Sequence, residues 1–136
     1  MDSNTHNISI ISDQKVRARI IQNLIKKGID PTVTVTVVGS EDYNIKYGEF
    51  DKHLILVDLI SIEKPSRLLI KEIRETMPGV KIIALHIYRS LMLVKPLYDM
   101  GINGYIYYEP SRKELMQAIH SVFGGNNYKP EYLIHT

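Results

Sequence analysis

The 136 residues contain no cysteine, which removes disulfide bridges, thiol nucleophiles and cysteine zinc sites together. A reducing compartment suits such a chain. An excess of one charge is also missing: 17 basic residues stand against 15 acidic ones, the formal net charge is +2, and no run of five or more like charges occurs. That leaves no electrostatic footprint for nucleic acid. No apolar stretch approaches bilayer-spanning length, and Met1-Asp2-Ser3-Asn4-Thr5-His6-Asn7 lacks the basic-then-apolar layout of a signal peptide. The expectation is a soluble cytoplasmic protein with no membrane and no nucleic-acid partner. Several catalytic signatures are absent as well. No Gly-x-Gly-x-x-Gly or P-loop is found, the first strand leading instead into Ser12-Asp13-Gln14-Lys15. No Gly-x-Ser-x-Gly elbow occurs, and His6, His53, His86, His120 and His135 have no metal-ligand spacing. Nothing repeats, and nothing is of low complexity.

What is there is one globular domain's worth of chain, 44% hydrophobic, with room for a single core. Its centre is His53-Leu54-Ile55-Leu56-Val57-Asp58-Leu59, an unbroken apolar run stopped by an acid. Such a run suits a strand buried on both faces of a parallel sheet. Before it, Ile8-Ser9-Ile10-Ile11 reads as a first strand. A helix follows with Val16, Ile20, Leu24 and Ile25 on one face, closed by Lys26-Lys27-Gly28. Thr32 to Val38 is β-branched and reads as the second strand. Glu41 to Lys52 is polar and weakly periodic, enough for a short or irregular helix. Beyond Asp58, Pro65 suits the first turn of a helix carrying Leu68, Leu69, Ile73 and Met77, ended by Pro78-Gly79. Val80 to Leu85 is the fourth strand and delivers His86 to the edge that holds Asp13 and Asp58. Arg89 to Met100 reads as a helix bent at Pro96, and Gly104 to Tyr108 as the fifth strand. Ser111-Arg112-Lys113-Glu114 has capping-box spacing for a last helix built on Leu115, Ile119 and Val122, and Gly124-Gly125 stops it. The remainder, 125–136, is a C-terminal tail too short to fold on its own.

Strands alternating with helices predict an α/β fold of flavodoxin-like type. It is a three-layer sandwich whose five-stranded parallel sheet runs in the order 2-1-3-4-5, with right-handed crossovers and helices on both faces. In such sheets ligands bind outside the carboxyl ends of the strands, where Asp13, Asp58 and His86 fall. Each has a plainer reading. Asp58 could be a turn or cap residue, Asp13 a cap for the first helix, and His86 a satisfied strand-end histidine. An acid two positions after Asp58, as an aspartyl-phosphate hydrolase would need, is absent from Asp58-Leu59-Ile60.

An acid after the first strand, another after the third, a polar residue after the fourth and the Gly104-Tyr105-Ile106 strand together resemble a bacterial response-regulator receiver domain (CheY-like). The resemblance covers nearly the whole chain, with 7–124 as the receiver. His86 lies 28 positions and Tyr108 50 positions after Asp58, intervals similar to those of NarL/FixJ-type receivers. Ala118-Ile119-His120-Ser121-Val122-Phe123-Gly124-Gly125 resembles that group's last helix. A DNA-binding helix-turn-helix usually follows there, whereas this sequence ends at Thr136, so a stand-alone receiver is expected.

The resemblance implies a role for each matching position. Asp58 matches the aspartate that takes a phosphoryl group from a histidine kinase. Asp13, Asp58, the Ile60 backbone carbonyl and, through water, Ser12 match the Mg²⁺ site. Ser12 replaces the first acid of the usual pair, so Mg²⁺ binding is expected to be weak or absent. His86 stands where the family has the Thr or Ser that grips the phosphoryl group, and Tyr108 where it has a lysine. Losing a hydroxyl and a cation removes much of what stabilises a transferred phosphoryl group. Ile62 and Ser66 depart from the family's loop residues, while Tyr105 matches an aromatic that many receivers reorient. Tyr88, Tyr98, Tyr105 and Tyr107 are either half-buried sheet and helix residues or an interaction face.

The expected function is therefore a non-enzymatic interaction module in two-component signalling, with weak or absent phosphorylation at Asp58. The alternative is a phosphorylatable single-domain regulator. A histidine kinase or another signalling protein is the expected partner, with a homodimer through the last two helices and fifth strand also possible. A neighbouring pair of carboxylates should raise the pKa of His86, with burial as the opposing force.

Overall fold

The computed structural model describes residues 6–43 and 52–135. Five strands, β1 (His6–Ile11), β2 (Thr34–Val38), β3 (Lys52–Asp58), β4 (Lys81–His86) and β5 (Gly104–Tyr107), form one parallel sheet in the order β2-β1-β3-β4-β5. Four helices connect or follow them: α1 (Lys15–Gly28), α2 (Ser66–Thr76), α3 (Leu91–Asp99) and α4 (Arg112–Phe123). This is the expected flavodoxin-like topology. The expected helix within Glu41 to Lys52 lies largely outside the described residues; the part described, 41–43, is turn and bend.

Side chains that alternate along each strand feed two separate cores. Ile8, Ile10, Leu54, Leu56, Ile83, Leu85 and Ile106 pack under α1 and α4. Ile11, Ile55, Val57, Ile82, Ala84 and Tyr105 pack under α2 and α3. The β3 run has no polar alternation because both of its faces are covered. Polar residues begin only where the strand ends, at Asp58.

Two helices match the expected faces only in part: Ile25 of the first and Leu69, Ile73 and Met77 of the second are buried as expected. In α1 the buried residues are Ala18, Ile21 and Ile25, while Val16 is 70% and Ile20 55% exposed. The small Ala18 lets the helix sit close to the sheet, and that rotates Val16 and Ile20 outward. In α2 the core residues are Leu69, Ile70 and Ile73, with Leu68 exposed. The last helix matches: the Ser111 hydroxyl accepts a hydrogen bond from the Glu114 N–H at 3.1 Å, and Leu115, Ile119 and Val122 are buried.

The segment 126–134 runs along the open side of β5. Tyr128 pairs with Gly104 and Ile134 with Ser90, both in the parallel sense. Leu133 is 5% exposed and joins the core beneath α2 and α3.

Candidate functional site

The carboxyl ends of β1, β3 and β4 bring Ser12, Asp13, Asp58 and His86 to one edge of the sheet. Asp58 ends β3, and the 3-10 turn Leu59–Ser61 that follows carries Ile60. Ser61 joins the two acids through their backbones. Its hydroxyl donates to the Asp58 carbonyl at 2.9 Å and accepts the Asp13 N–H at 3.0 Å.

The two carboxylates then go separate ways. Asp13 is exposed: one oxygen accepts the Ser40 N–H at 2.8 Å, the other the Ser40 hydroxyl at 2.7 Å. It ties the end of β1 to the loop after β2. It does not cap α1, whose N-terminus has no side-chain cap. Asp58 is completely buried, and both of its oxygens are occupied. Arg17 grips them in a fork, Nε to Oδ2 at 3.0 Å and Nη2 to Oδ1 at 2.9 Å, while the Ser12 hydroxyl donates to Oδ2 at 2.9 Å.

The sequence reading missed Arg17. A signal was present: α1 opens with Lys15 and Arg17 and has no acid in its first turn, although the helix dipole disfavours cations there. Such a cation needs a carboxylate partner nearby. Asp58 provides it, and the hydrogen bond and charge of that carboxylate raise the Arg17 pKa above its ordinary value against the opposing effect of burial. Forked guanidinium–carboxylate pairing is among the strongest charge-assisted geometries, and a buried ion pair depends on it to offset desolvation.

His86 reverses the expected titration. Burial lowers its pKa below 6.5, outweighing the raising effect of Asp58. The hydrogen bonds agree. Nδ1 accepts the Ile87 N–H at 2.9 Å, which the doubly protonated imidazolium could not do. Nε2 lies 2.9 Å from the Ser66 hydroxyl, and the ring stacks on Tyr88 at 4.3 Å. His86 is thus a neutral, satisfied strand-end residue and not a counter-ion to the acids. It lines a groove of about 510 Å³ with Ser66, Arg67, Tyr88 and Leu93, on the side of the sheet edge facing α3.

Tyr108, at the lysine position, adopts φ 55° and is 48% exposed, with its N–H donating to the His86 carbonyl at 2.7 Å. Its main chain, not a charged side chain, closes this end of β5. The tyrosines do not form a free face. Tyr105 is fully buried, and its hydroxyl donates to the Tyr88 carbonyl at 2.7 Å. Tyr98 donates to the carbonyl of Tyr128, and Tyr107 lies against the Tyr132 ring. The segment 126–134 covers two of these tyrosines, Tyr98 and Tyr107, while Tyr88 packs on His86.

A divalent cation does not fit this edge. Magnesium needs carboxylate oxygens free to coordinate, yet Arg17 and Ser12 take those of Asp58 and Ser40 takes those of Asp13. Among the described residues no group of three or more His, Asp or Glu side chains is arranged to hold a metal. A guanidinium bonded to both Asp58 oxygens supplies positive charge where a metal would have to enter.

No family model matches the sequence, and no curated protein does. Solved structures do match in fold. The RcsB response regulator of Salmonella typhimurium superposes with a TM-score of 0.79 at 21% identity, covering 96% of this chain and 64% of that one. The isolated receiver (REC) domain of RcsB from Salmonella enterica serovar Typhimurium, in the apo form, gives 0.75 at 23% identity over 93% of both chains. A LuxR-family two-component response regulator from Aurantimonas gives 0.77 at 17% identity, covering 93% of this chain and 91% of that one. The chain spans about two thirds of the longer RcsB molecule and nearly all of its isolated receiver domain. Its fold is that of a response-regulator receiver domain.

Proposed function

We propose that this chain is a receiver-like interaction module of two-component signalling in which phosphorylation at Asp58 is weak or absent. One observation carries the reading: the Arg17 fork holds both oxygens of a fully buried Asp58. To accept a phosphoryl group, a carboxylate oxygen must present a lone pair in line with the leaving group. Here that oxygen would first have to leave a guanidinium. The departures at His86 and Tyr108 support the same reading, since neither supplies the hydroxyl or ammonium that would hold the transferred group. The module has no turnover of its own, and Asp13 and Ser12, bonded to Ser40, Ser61 and Asp58, serve to hold the loop edge, with Mg²⁺ at Asp13, Asp58 and the Ile60 carbonyl weak or absent. Its partners are a histidine kinase or another signalling protein, or a second copy, docking on α3, β5 and α4. Residues 7–124 are the receiver unit and 125–136 its C-terminal tail, of which 126–134 lie against it.

The test is incubation of the whole chain with Mg²⁺ and acetyl phosphate, followed by intact mass and peptide mapping, beside Asp58→Asn. The expected result is no phosphoryl mass on the wild type. Stoichiometric modification at Asp58, lost in Asp58→Asn, would overturn the reading in favour of a phosphorylatable regulator.

A further inference from the structure

β5 is an edge strand, and an open edge is a template for another extended segment. In this chain the template is occupied by residues 126–134. The Tyr128 N–H donates to the Asn103 carbonyl at 2.8 Å, and the Tyr98 hydroxyl caps the Tyr128 carbonyl. Gly104 permits this approach. A Cβ there would stand 3.2 Å from Ile83 Cγ1, closer than most side chains approach, and 3.4 Å from Tyr128 Cβ, at the near limit of ordinary contact. Four residues further on, the Tyr132 hydroxyl accepts the Tyr107 N–H at 2.9 Å, satisfying a donor on the open side of β5. Both Tyr128 and Tyr132 donate to one oxygen of Glu114 on α4, each at 2.8 Å. Ile134 closes the far end by exchanging two main-chain bonds of 2.7 Å with Arg89 and Leu91, and Leu133 fills the apolar pocket between.

Two isolated bridges, one at Gly104 of β5 and one at Ser90 before α3, with side-chain bonds between them, hold the segment at the sheet edge, the setting that peptide recognition at a strand edge uses. The segment is joined to α4 through Gly124-Gly125, where Gly125 adopts φ 91° and an added Cβ would meet nothing within 4 Å. It ends no strand and belongs to no helix, and it buries only Pro130 and Leu133, with Tyr128 partly buried, so it can come away while the sheet stays folded.

We infer that the α3–β5–α4 face is a binding site for an extended peptide bearing two tyrosines four residues apart and a leucine directly after the second. Residues 126–134 are its ligand in cis, and a partner segment of the same chemistry is its ligand in trans. The linker makes the cis segment an intramolecular competitor at high effective concentration, so the site opens only to a partner that outcompetes it or after the segment is displaced. The Tyr98, Tyr128 and Tyr132 phenols are all pushed above their ordinary pKa, chiefly by burial, so they remain protonated donors. This deepens the interaction-module reading. It rests on the docking face and not on Asp58, so the phosphodonor experiment can fail or succeed without deciding it.

Two measurements on the full chain test it. Native-state hydrogen exchange of the wild type should show the Tyr107, Tyr128 and Ile134 amides opening together, at least tenfold faster than those of Leu54 to Val57. Opening only with global unfolding would make the segment part of the core and overturn the inference, and this result needs no variant. In Leu133→Asp the same amides should lose protection while β3 keeps it. A synthetic peptide of residues 126–135 should then bind that variant saturably at one to one. It should bind the wild type at least tenfold more weakly, and a peptide carrying Leu133→Asp should bind neither. Absence of saturable binding to a folded Leu133→Asp chain would overturn the inference.

Discussion

The buried acid and the β5 edge are both covered by groups of the chain itself, yet they are closed by different physics. At Asp58 the closing group is a guanidinium on a core helix, held by two charge-assisted bonds around a carboxylate with no solvent access. At β5 it is a short segment held by hydrogen bonds to main-chain groups and to the exposed side of α4 through the Glu114 carboxylate, with Pro130 and Leu133 buried. Opening the first leaves an unpaired buried charge. Opening the second exposes groups that water can satisfy. The ionic closure therefore behaves as part of the fold and the peptide closure as a local equilibrium above it.

Removing the cation should break this comparison most visibly. Arg17→Met leaves Asp58 buried without its partner, and loss of one member of a buried pair costs about 3–5 kcal/mol. Urea unfolding should show that loss in the midpoint with little change in slope. Arg17→Met combined with Asp58→Leu should recover most of it, because the uncompensated charge is gone. If Arg17→Met is as stable as the wild type, Asp58 is not locked and the proposed silence at this position loses its basis.

A smaller effect should separate the two closures. Tyr132→Phe deletes the hydroxyl that accepts from Tyr107 and donates to Glu114. The bond to the Tyr107 N–H contributes about 1 kcal/mol, and the one to the Glu114 carboxylate about 1.5–3 kcal/mol. Exchange of the Tyr107 amide should accelerate about fivefold or more, with the amides of β3 unchanged. A uniform acceleration across the sheet would mean that the segment is integral to the fold after all.

The parts legible in sequence are those written in local pattern. The β3 run carries no polar alternation, so two covered faces and an acid at the strand end followed directly, and Ser111 to Glu114 announced its own cap. What stayed hidden depends on contacts between distant segments. Arg17 and Asp58 are 41 positions apart and meet because β1 and β3 are neighbours in the sheet. The α1 face was misplaced because Val16, Ile20 and Leu24 form as good a stripe as Ala18, Ile21 and Ile25, and alanine is a weak hydrophobic marker. The docking of 126–134 uses tyrosine hydroxyls aimed at single acceptors, which no periodicity encodes. Positions identified from the resemblance, Asp13 and Asp58 among them, did come to one edge, but their side chains serve Ser40 and Arg17.

His86 supplies the weakest and most specific effect, a slope with pH and not an offset. In the folded chain its ring is neutral, with Nδ1 accepting from Ile87 and burial lowering its pKa below the unfolded value of about 6.5. A depressed histidine pKa means that below 6.5 the unfolded chain binds the proton more readily than the folded one. Its contribution is therefore fully present above pH 6.5 and is lost as pH falls from there through the folded value. Unfolding free energies of the wild type and His86→Gln, measured by urea titration at pH 5.5 and 7.5, should converge at the lower pH. The advantage of the wild type should be larger at 7.5. The opposite trend, a larger advantage at 5.5, would mean that the ring is charged in the folded state and paired with Asp58. His86 would then share with Arg17 the work of neutralising that acid, and the single-cation account of its closure would fail.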